Sequence, residues 1–498
     1  MPEQNQRMPV KVTPYKHQIS AYRFVCRQFG LGGFPKTSPG AALLMEMGCG
    51  KTLTTIGVIG ALRAAGQIRR VLVVVPLSIV SVWREELERF AGFEYEAHIL
   101  SGSIAQKAQA LEELTDDTLQ IVIVNYESAW RLETQLTAFS PDLVIADEGH
   151  KLKTHNTKQS KAMHRLGAKA PYRLLLTGTI ITNKAIDVFS QYKFINPTVF
   201  GQSFYTFRNR YFDMVGYGNH TPVLKRNMEP ELMDRLHAIA YRTTKAECLD
   251  LPETTDIVRF VELEPAAKRI YKDLVRDSYA ELAKGEVTAT NVLTRLLRLS
   301  QLTGGFVGDD SGAVSAISTA KLDALSDLLD EAESEDKKLV VIARFVPEIH
   351  AIEKLLQKKK LPYSLIMGGV KDREEQIRRF QNDPAVKVFV GQIATAGLGI
   401  TLTAASTMVF YSLDYSMSNF EQTKARIHRV GQKHNCSYLY LTAKATVDEK
   451  VLAALRNKAD LAKTLVDDYK RGGNPYDHPT KFPILRGTPE GGGETNER

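Results

Sequence analysis

Short runs of aliphatic and β-branched residues recur along two stretches of this chain. The first stretch, about 41–195, holds "AALLM" (41–45), "VLVVV" (71–75), "IVIVN" (121–125), "DLVIA" (142–146) and "YRLLL" (172–176). The second, about 338–442, holds "KLVVIA", "YSLIM", "VKVFV", "TMVFYS" and "SYLYLTA". Such runs lack the polar alternation of a strand with one wet face, so they read as strands covered on both sides. Segments of helix length separate them. Strands alternating with helices predict parallel sheets with crossover helices, here as two α/β lobes in series.

The stretch between the blocks has another period. "PELMDRLHAIAYRTT", "AAKRIYKDLVRDSYAELAKG" and "NVLTRLLRLSQLTGG" carry apolar residues at helical spacing, which predicts helices packed around the lobes. The chain then divides into a first lobe over 1–200, helical insertions and a linker over 201–320, a second lobe over 321–470 and a tail over 471–498. That tail is rich in Pro, Gly and charge and reads as disordered.

Bulk numbers narrow this picture a little. With 498 residues, 43% hydrophobic and 24% charged, the chain reads as a soluble globular protein of several domains. The net charge of +8 fits a polyanionic partner without requiring one. Cys26, Cys49, Cys248 and Cys436 form no C-x-x-C pair, which excludes a zinc ribbon and suits a reducing compartment. The polar start "MPEQNQRMPV" has no signal-peptide core, and "VLVVVPLSIVSVW" is too short and too broken to span a bilayer. The expectation is an intracellular protein that uses no membrane.

Chemistry enters with "MEMGCGKTLTTIG" (45–57), set between a strand pattern and a helix pattern. Met47, Gly48, Cys49 and Gly50 would turn backbone N–H groups toward phosphates at a helix N-terminus. Lys51 would reach the β- and γ-phosphates of ATP, and Thr52 would place its hydroxyl on Mg²⁺. The usual pattern has a glycine five positions before Gly50, and this chain has Met45. "DLVIADEGHKLK" then supplies Asp147 and Glu148 at the carboxyl end of a strand, where open α/β sheets bind ligands. Asp147 would hold Mg²⁺ and Glu148 would polarise the attacking water. Taken alone, an Asp-Glu pair is more often a helix cap. "LLLTGTI" places Thr177, Gly178 and Thr179 after the next strand; alone it reads as a simple polar turn, and beside the other motifs its hydroxyls would sense the γ-phosphate or bridge to the second lobe.

"QTKARIHRVGQ" (422–432) reads as a basic helix with Gln422, Arg426 and Arg429 on one face. The ordinary reading of such a face is solvated charge. The order of motifs changes that. "PYKHQ", "MGCGKT", "VVVPLSIVSVW", "NYES", "DEGH", "LTGT", "GGVKDREEQIRRF", "TAGLGITLTAAS" and "QTKARIHRVGQ" together resemble the Swi/Snf-type ATPases of helicase superfamily two, over roughly 10–465. "DEGHKLK" and "ARIHRVGQ" are the most specific parts.

The resemblance implies two RecA-like lobes with ATP in the cleft between them. It makes Arg426 and Arg429 arginine fingers and gives Gln422 a part in orienting them or touching the nucleotide. It assigns Gln18 to the adenine edge. Thr395, Gly397 and Gly399 match the loop that joins DNA contact to the cleft. The partner it implies is double-stranded DNA, translocated without strand separation. Candidate contacts are Ser78, Trp83, Arg84, Tyr126, Lys151 and Lys153 from the first lobe, and Gly368, Gly369, Lys371 and Arg373 from the second. The chain is nearly all motor, similar to small phage or bacterial members and faintly to the annealing-helicase branch. That points to a monomer in the cytoplasm of a bacterium or a phage-infected cell. Three positions depart from the usual pattern: Gly149 where many members have Ala, Ile180 where Pro is common, and Thr395 before "AGLG". A strand-separating DNA or RNA helicase, and a non-catalytic nucleotide-switched scaffold, are the alternative readings.

Overall fold

A computed structural model of the chain describes residues 7–462 apart from 116, 182–183, 217–220, 249–250, 284–288, 309–313, 371 and 394–399. The expected tail over 471–498 lies outside the described residues. Two parallel sheets carry the fold. The first draws on β1 (Gly40–Met45), β2 (Arg70–Val75), β3 (Glu96–Ile99), β4 (Gln120–Asn125), β5 (Leu143–Asp147) and β6 (Tyr172–Leu176). After a small hairpin of β7 (Phe212–Val215) and β8 (Thr221–Leu224) comes β9 (Ala240–Thr243), its last strand. Their order is β3-β4-β2-β5-β6-β1-β9.

The second sheet begins with β10 (Thr254–Val261). Past a second hairpin, β11 (Phe306–Gly308) and β12 (Val314–Ala316), it adds β13 (Leu339–Ala343), β14 (Tyr363–Ile366), β15 (Val388–Gln392), β16 (Thr407–Phe410) and β17 (Cys436–Ala443). Their order is β10-β17-β16-β13-β15-β14. These are the two α/β lobes in series expected from the alternating runs, and the tandem RecA-like pair that the resemblance implies.

The unbroken apolar runs follow from burial on both faces. Along β1, Ala42 and Leu44 point into one core while Ala41, Leu43 and Met45 point into the other. In the second sheet Val340 and Ile342 feed one core and Leu339, Val341 and Ala343 the opposite one. Each such Val, Leu or Ile contributes about 1.5–3 kcal/mol when fully buried.

The middle stretch is helical where the period said so, over Glu229–Ala238, Pro265–Ala283 and Ala289–Thr303. It also supplies β9 to the first sheet and β10 to the second, although the sequence reading placed 201–320 outside both. Neither strand is a clean apolar run: Arg242 interrupts β9, and the first four residues of β10 are exposed and mostly polar, so both hid inside segments read as helix or linker. Among the described residues no helix is long and apolar enough to cross a membrane.

Glu348 ties the second lobe together. It sits in the first turn of the helix Val346–Lys358, is buried, and accepts from Arg344 N (3.1 Å), Phe345 N (3.0 Å) and Ser412 Oγ (2.5 Å). Burial pushes its carboxyl up to about 7 despite these donors. The folded state therefore holds this proton more tightly than the unfolded chain, whose glutamates titrate near about 4.3. Its stabilising effect is complete below that value and is lost as pH rises toward 7. Glu348→Gln, which mimics the protonated acid, is expected to flatten the fall in stability between pH 5 and pH 8, read from urea midpoints at the two pH values.

Candidate active site

The motifs of the first lobe stand at the carboxyl ends of neighbouring strands. β1 runs into the glycine loop, β5 ends on Asp147 and β6 leads to Thr177. Gly48 (φ +89°) and Gly50 (φ +85°) take left-handed backbone that only glycine adopts freely. A side chain at Gly50 would also overlap the Gln18 amide. Helix α2 (Lys51–Ala64) starts immediately after, with Thr52 in its first turn. Lys51 Nζ arches back to donate to Met45 O at 2.9 Å.

Helix α1 (Lys16–Gln28) braces this loop. Gln18 accepts from Tyr15 N (2.9 Å) and its Nε2 donates to Cys49 O (3.3 Å). His17 Nε2 lies 2.8 Å from the same carbonyl, which can only accept, so that nitrogen carries the proton. The Gln18 amide, expected at the adenine edge, is engaged with backbone here.

Asp147 is buried at the end of β5. Its Oδ2 accepts from Trp83 Nε1 (2.8 Å) and its Oδ1 from Glu148 N (2.8 Å), while Tyr126 donates its hydroxyl to Asp147 O (2.8 Å). Glu148 has φ +52°, a left-handed turn that costs a non-glycine residue about 1–2 kcal/mol. That turn aims its carboxylate at His150, whose Nδ1 lies 3.2 Å from Oε2. The pair is at ion-pair distance, but the alignment is too poor for a hydrogen bond. Burial and the Glu148 charge raise the Asp147 carboxyl above the ordinary range. Burial also acts to raise Glu148, but His150, Lys51 and Arg426 outweigh it and hold this carboxyl low. Of the two carboxyls Glu148 is therefore the more acidic, and Asp147 holds its proton to higher pH. The Thr177 hydroxyl, by contrast, is committed to its own turn, accepting from Thr179 N and donating to Thr179 O.

The second lobe brings its arginines to the same place, though not on a helix. The helix Met417–Lys424 ends before them, so Gln422 is helical while Arg426 and Arg429 lie on the following turns. The expected shared helical face does not form. Arg426 O accepts from Leu402 N, an outside partner that helps end the helix. Both guanidinium groups then converge on Ile400 O, at 3.5 Å from Arg426 and 3.3 Å from Arg429.

Arg426 is buried and faces Glu148 across the cleft. Burial lowers its pKa to about 10, the Arg429 charge adds to that, and Glu148 partly offsets both. Arg429 is lowered by burial too, and Glu86 on helix α3 (Val80–Phe90) faces it. The Arg429 Cβ stands 3.7 Å from where a side chain on Gly48 would begin. Two desolvated like charges beside the glycine loop form a site that an anion relieves. A chain of contacts also crosses the cleft. Gln422 Nε2 donates to Ser418 Oγ (3.3 Å), and Ser418 Oγ lies 3.1 Å from His150 Nε2. Gln422 therefore reaches the carboxylates through Ser418 and His150.

The DNA candidates divide. Trp83 (1% exposed) and Tyr126 (5% exposed) are core residues whose polar atoms hold Asp147, which removes them as DNA contacts. Arg84, Lys151, Gly368 and Gly369 are exposed, with Arg84 paired to Glu88 at 3.3 Å. Lys153 and Arg373 are half-buried, and Arg373 Nε donates to Val370 O. Lys371, Thr395, Gly397 and Gly399 lie outside the described residues, as does the Ser78 side chain. Sequence reasoning passed over His150, Ser418, Glu86, Arg242 and Lys245. His150 was legible as the neighbour of the acids; the others carry no local signal.

Among the described residues no three His, Cys, Asp or Glu side chains gather to cage a metal ion.

With the site in view, the fold defines a class: two RecA-like lobes that share one cleft. The SNF2-related domain matches residues 15–304 and the helicase conserved C-terminal domain matches 320–431. The chain belongs to the SNF2-related family. It is 28% identical over 447 residues to "Chromodomain-helicase-DNA-binding protein 1-like" of Mus musculus, covering 86% of this chain and 48% of that protein. It is 25% identical over 507 residues to "DNA repair and recombination protein RAD54-like" of Drosophila persimilis, covering 91% of this chain and 63% of that one. The chain thus spans between about half and two thirds of these two relatives. Among solved structures, the Sulfolobus solfataricus SWI2/SNF2 ATPase core in complex with dsDNA matches at 26% identity and a TM-score of 0.45, over 94% of this chain and 96% of that chain.

Gly149 has a local reason: a Cβ there would overlap the Leu175 side chain on β6. Gly149→Ala is expected to destabilise the protein by about 1–3 kcal/mol through overpacking, measured as a lowered urea midpoint.

Proposed function

We propose that the chain hydrolyses ATP in the cleft between its lobes and uses the resulting motion to translocate along double-stranded DNA. The observation that carries this reading is Arg426 facing Glu148 across the cleft, with Arg429 beside the glycine loop. We assign the phosphate loop to Met47–Thr52, with Lys51 neutralising the terminal phosphates. Thr52 and Asp147 would hold the Mg²⁺ that accompanies the nucleotide, and the metal would supply charge neutralisation on the phosphate oxygens. Glu148, held anionic, orients and polarises the attacking water. Arg426 and Arg429 stabilise charge that grows on the transferred group. The lobes we assign as 1–200 and 321–470, with 201–320 between them; the strands β9 and β10 extend each sheet into that middle stretch.

Since neither lobe holds both the carboxylates and the arginines, nucleotide favours the closed pair and hydrolysis releases it. That alternation is what lets the lobes step on a duplex. Two relatives whose names describe DNA binding and DNA repair support DNA as the partner. Grip on phosphates through exposed groups such as Lys151 and the Gly368–Gly369 turn would be insensitive to sequence and sensitive to salt.

Phosphate release measured with and without duplex DNA tests the reading. Lys51→Ala, Glu148→Gln and Arg429→Ala are each expected to abolish DNA-stimulated turnover with the fold intact, the arginine change by a factor of about 10³–10⁵. Full turnover by Arg429→Ala would remove the finger assignment. Displacement of a triplex strand without unwinding of a fork supports translocation; unwinding supports the strand-separating alternative.

A further inference from the structure

The connection from β9 to β10 is the covalent link between the two sheets, and its described residues 244–248 and 251–253 touch both halves of the cleft. At its start, Lys245 N donates to Glu46 Oε2 at 2.8 Å, beside the glycine loop. Further on, Cys248 Sγ lies 3.5 Å from Cys49 Sγ within that loop. The same short segment also holds the arginine turn. Lys245 Nζ donates to His428 O at 2.8 Å, and His428 Nε2 donates to Pro252 O at 2.9 Å. His428 is thus held at its carbonyl and at its ring by two points on one connection. It stands between Arg426 and Arg429 in the chain.

We propose that Lys245 is a positioning residue that latches the inter-lobe connection onto His428 and so sets Arg426 and Arg429 against the phosphate loop. This rests on the reading of those arginines given above. The Lys245 side chain passes close to the loop: its Cε stands 3.8 Å from where a side chain on Gly48 would begin, on a glycine that the Arg429 Cβ also approaches. Burial lowers the Lys245 pKa, and the Glu46 and Glu421 carboxylates act against that loss. A half-buried ammonium still loses part of its hydration, and an apolar side chain of similar length would fill the space without desolvating a charge. The hydrogen bond to His428 O is what an apolar side chain cannot supply. Because the connection is shared by both sheets, a change in their relative placement pulls on His428 and is felt by the arginines on either side.

The test is steady-state hydrolysis by the full chain with saturating duplex DNA, on Lys245→Met, Lys245→Gln and Lys245→Arg. Arg429→Ala is made alongside. The methionine variant is expected to lose at least tenfold in kcat, with KM for ATP within twofold of the parent and an unchanged thermal midpoint. The arginine variant, which keeps a charged donor, is expected to recover at least half of the lost kcat. Should methionine lower the midpoint, glutamine, which keeps a polar tip but shortens the reach, shows the same split between kcat and KM. Parental kcat in the methionine and glutamine variants, beside an inactive Arg429→Ala, overturns the latch alone. A rise in KM that matches the fall in kcat, with no recovery in the arginine variant, also overturns it. Full activity of Arg429→Ala overturns the latch and the finger assignment together.

Discussion

Desolvation of charge at the seam between the lobes is the constraint on which the site depends. Arg426 and Arg429 come together on one carbonyl, buried enough that Arg426 gives up protons more readily than an exposed guanidinium. Opposite them are a carboxylate pair and a glycine loop with its lysine. In water these charges would be screened to little effect. In a buried cleft each interaction strengthens several-fold, and an unpaired charge becomes expensive. The pocket is therefore set to respond to anything that adds or removes negative charge between its walls.

What holds the walls in place is ordinary parallel-sheet architecture. Strands buried on both faces leave their carboxyl ends as the place where loops are free to vary, and the motifs occupy those ends. The supporting layer is less ordinary. Trp83 and Tyr126 are locked onto Asp147, Gln18 and His17 onto the glycine loop, and Arg242 donates to both Leu44 O and Gly178 O. Arg242 in this way joins the carbonyls of two neighbouring strand ends, so that the phosphate loop and the Thr177–Thr179 turn keep a common frame.

Much of this was legible in the chain. Runs such as "VLVVV" and "KLVVIA" became strands where the pattern placed them, because a strand covered on both faces needs every side chain apolar. The glycine loop was legible because Gly48 and Gly50 meet a backbone demand that other residues do not meet easily. The misreadings share one cause. Trp83 and Tyr126 resemble exposed contacts in a linear motif, and only packing turned them inward. The stretch around Arg426 has helical spacing, yet Arg426 N bonds three residues back to Thr423 O and Arg426 O goes outside the stretch to Leu402 N, so the helix does not continue through it.

By itself, then, the sequence determined the two sheets, the glycine loop at a helix start and the acids at a strand end, and it marked out the arginines of the second lobe. Each of these follows from local rules of burial, backbone freedom or charge. Tertiary structure decided which polar atoms are left for chemistry and which are consumed in support, and that Glu148 is the more acidic of the two carboxyls. It also brought Lys245, His428 and Ser418 to the seam. Those outcomes depend on distance in space and on shared burial, to which the spacing of residues along a chain gives no access.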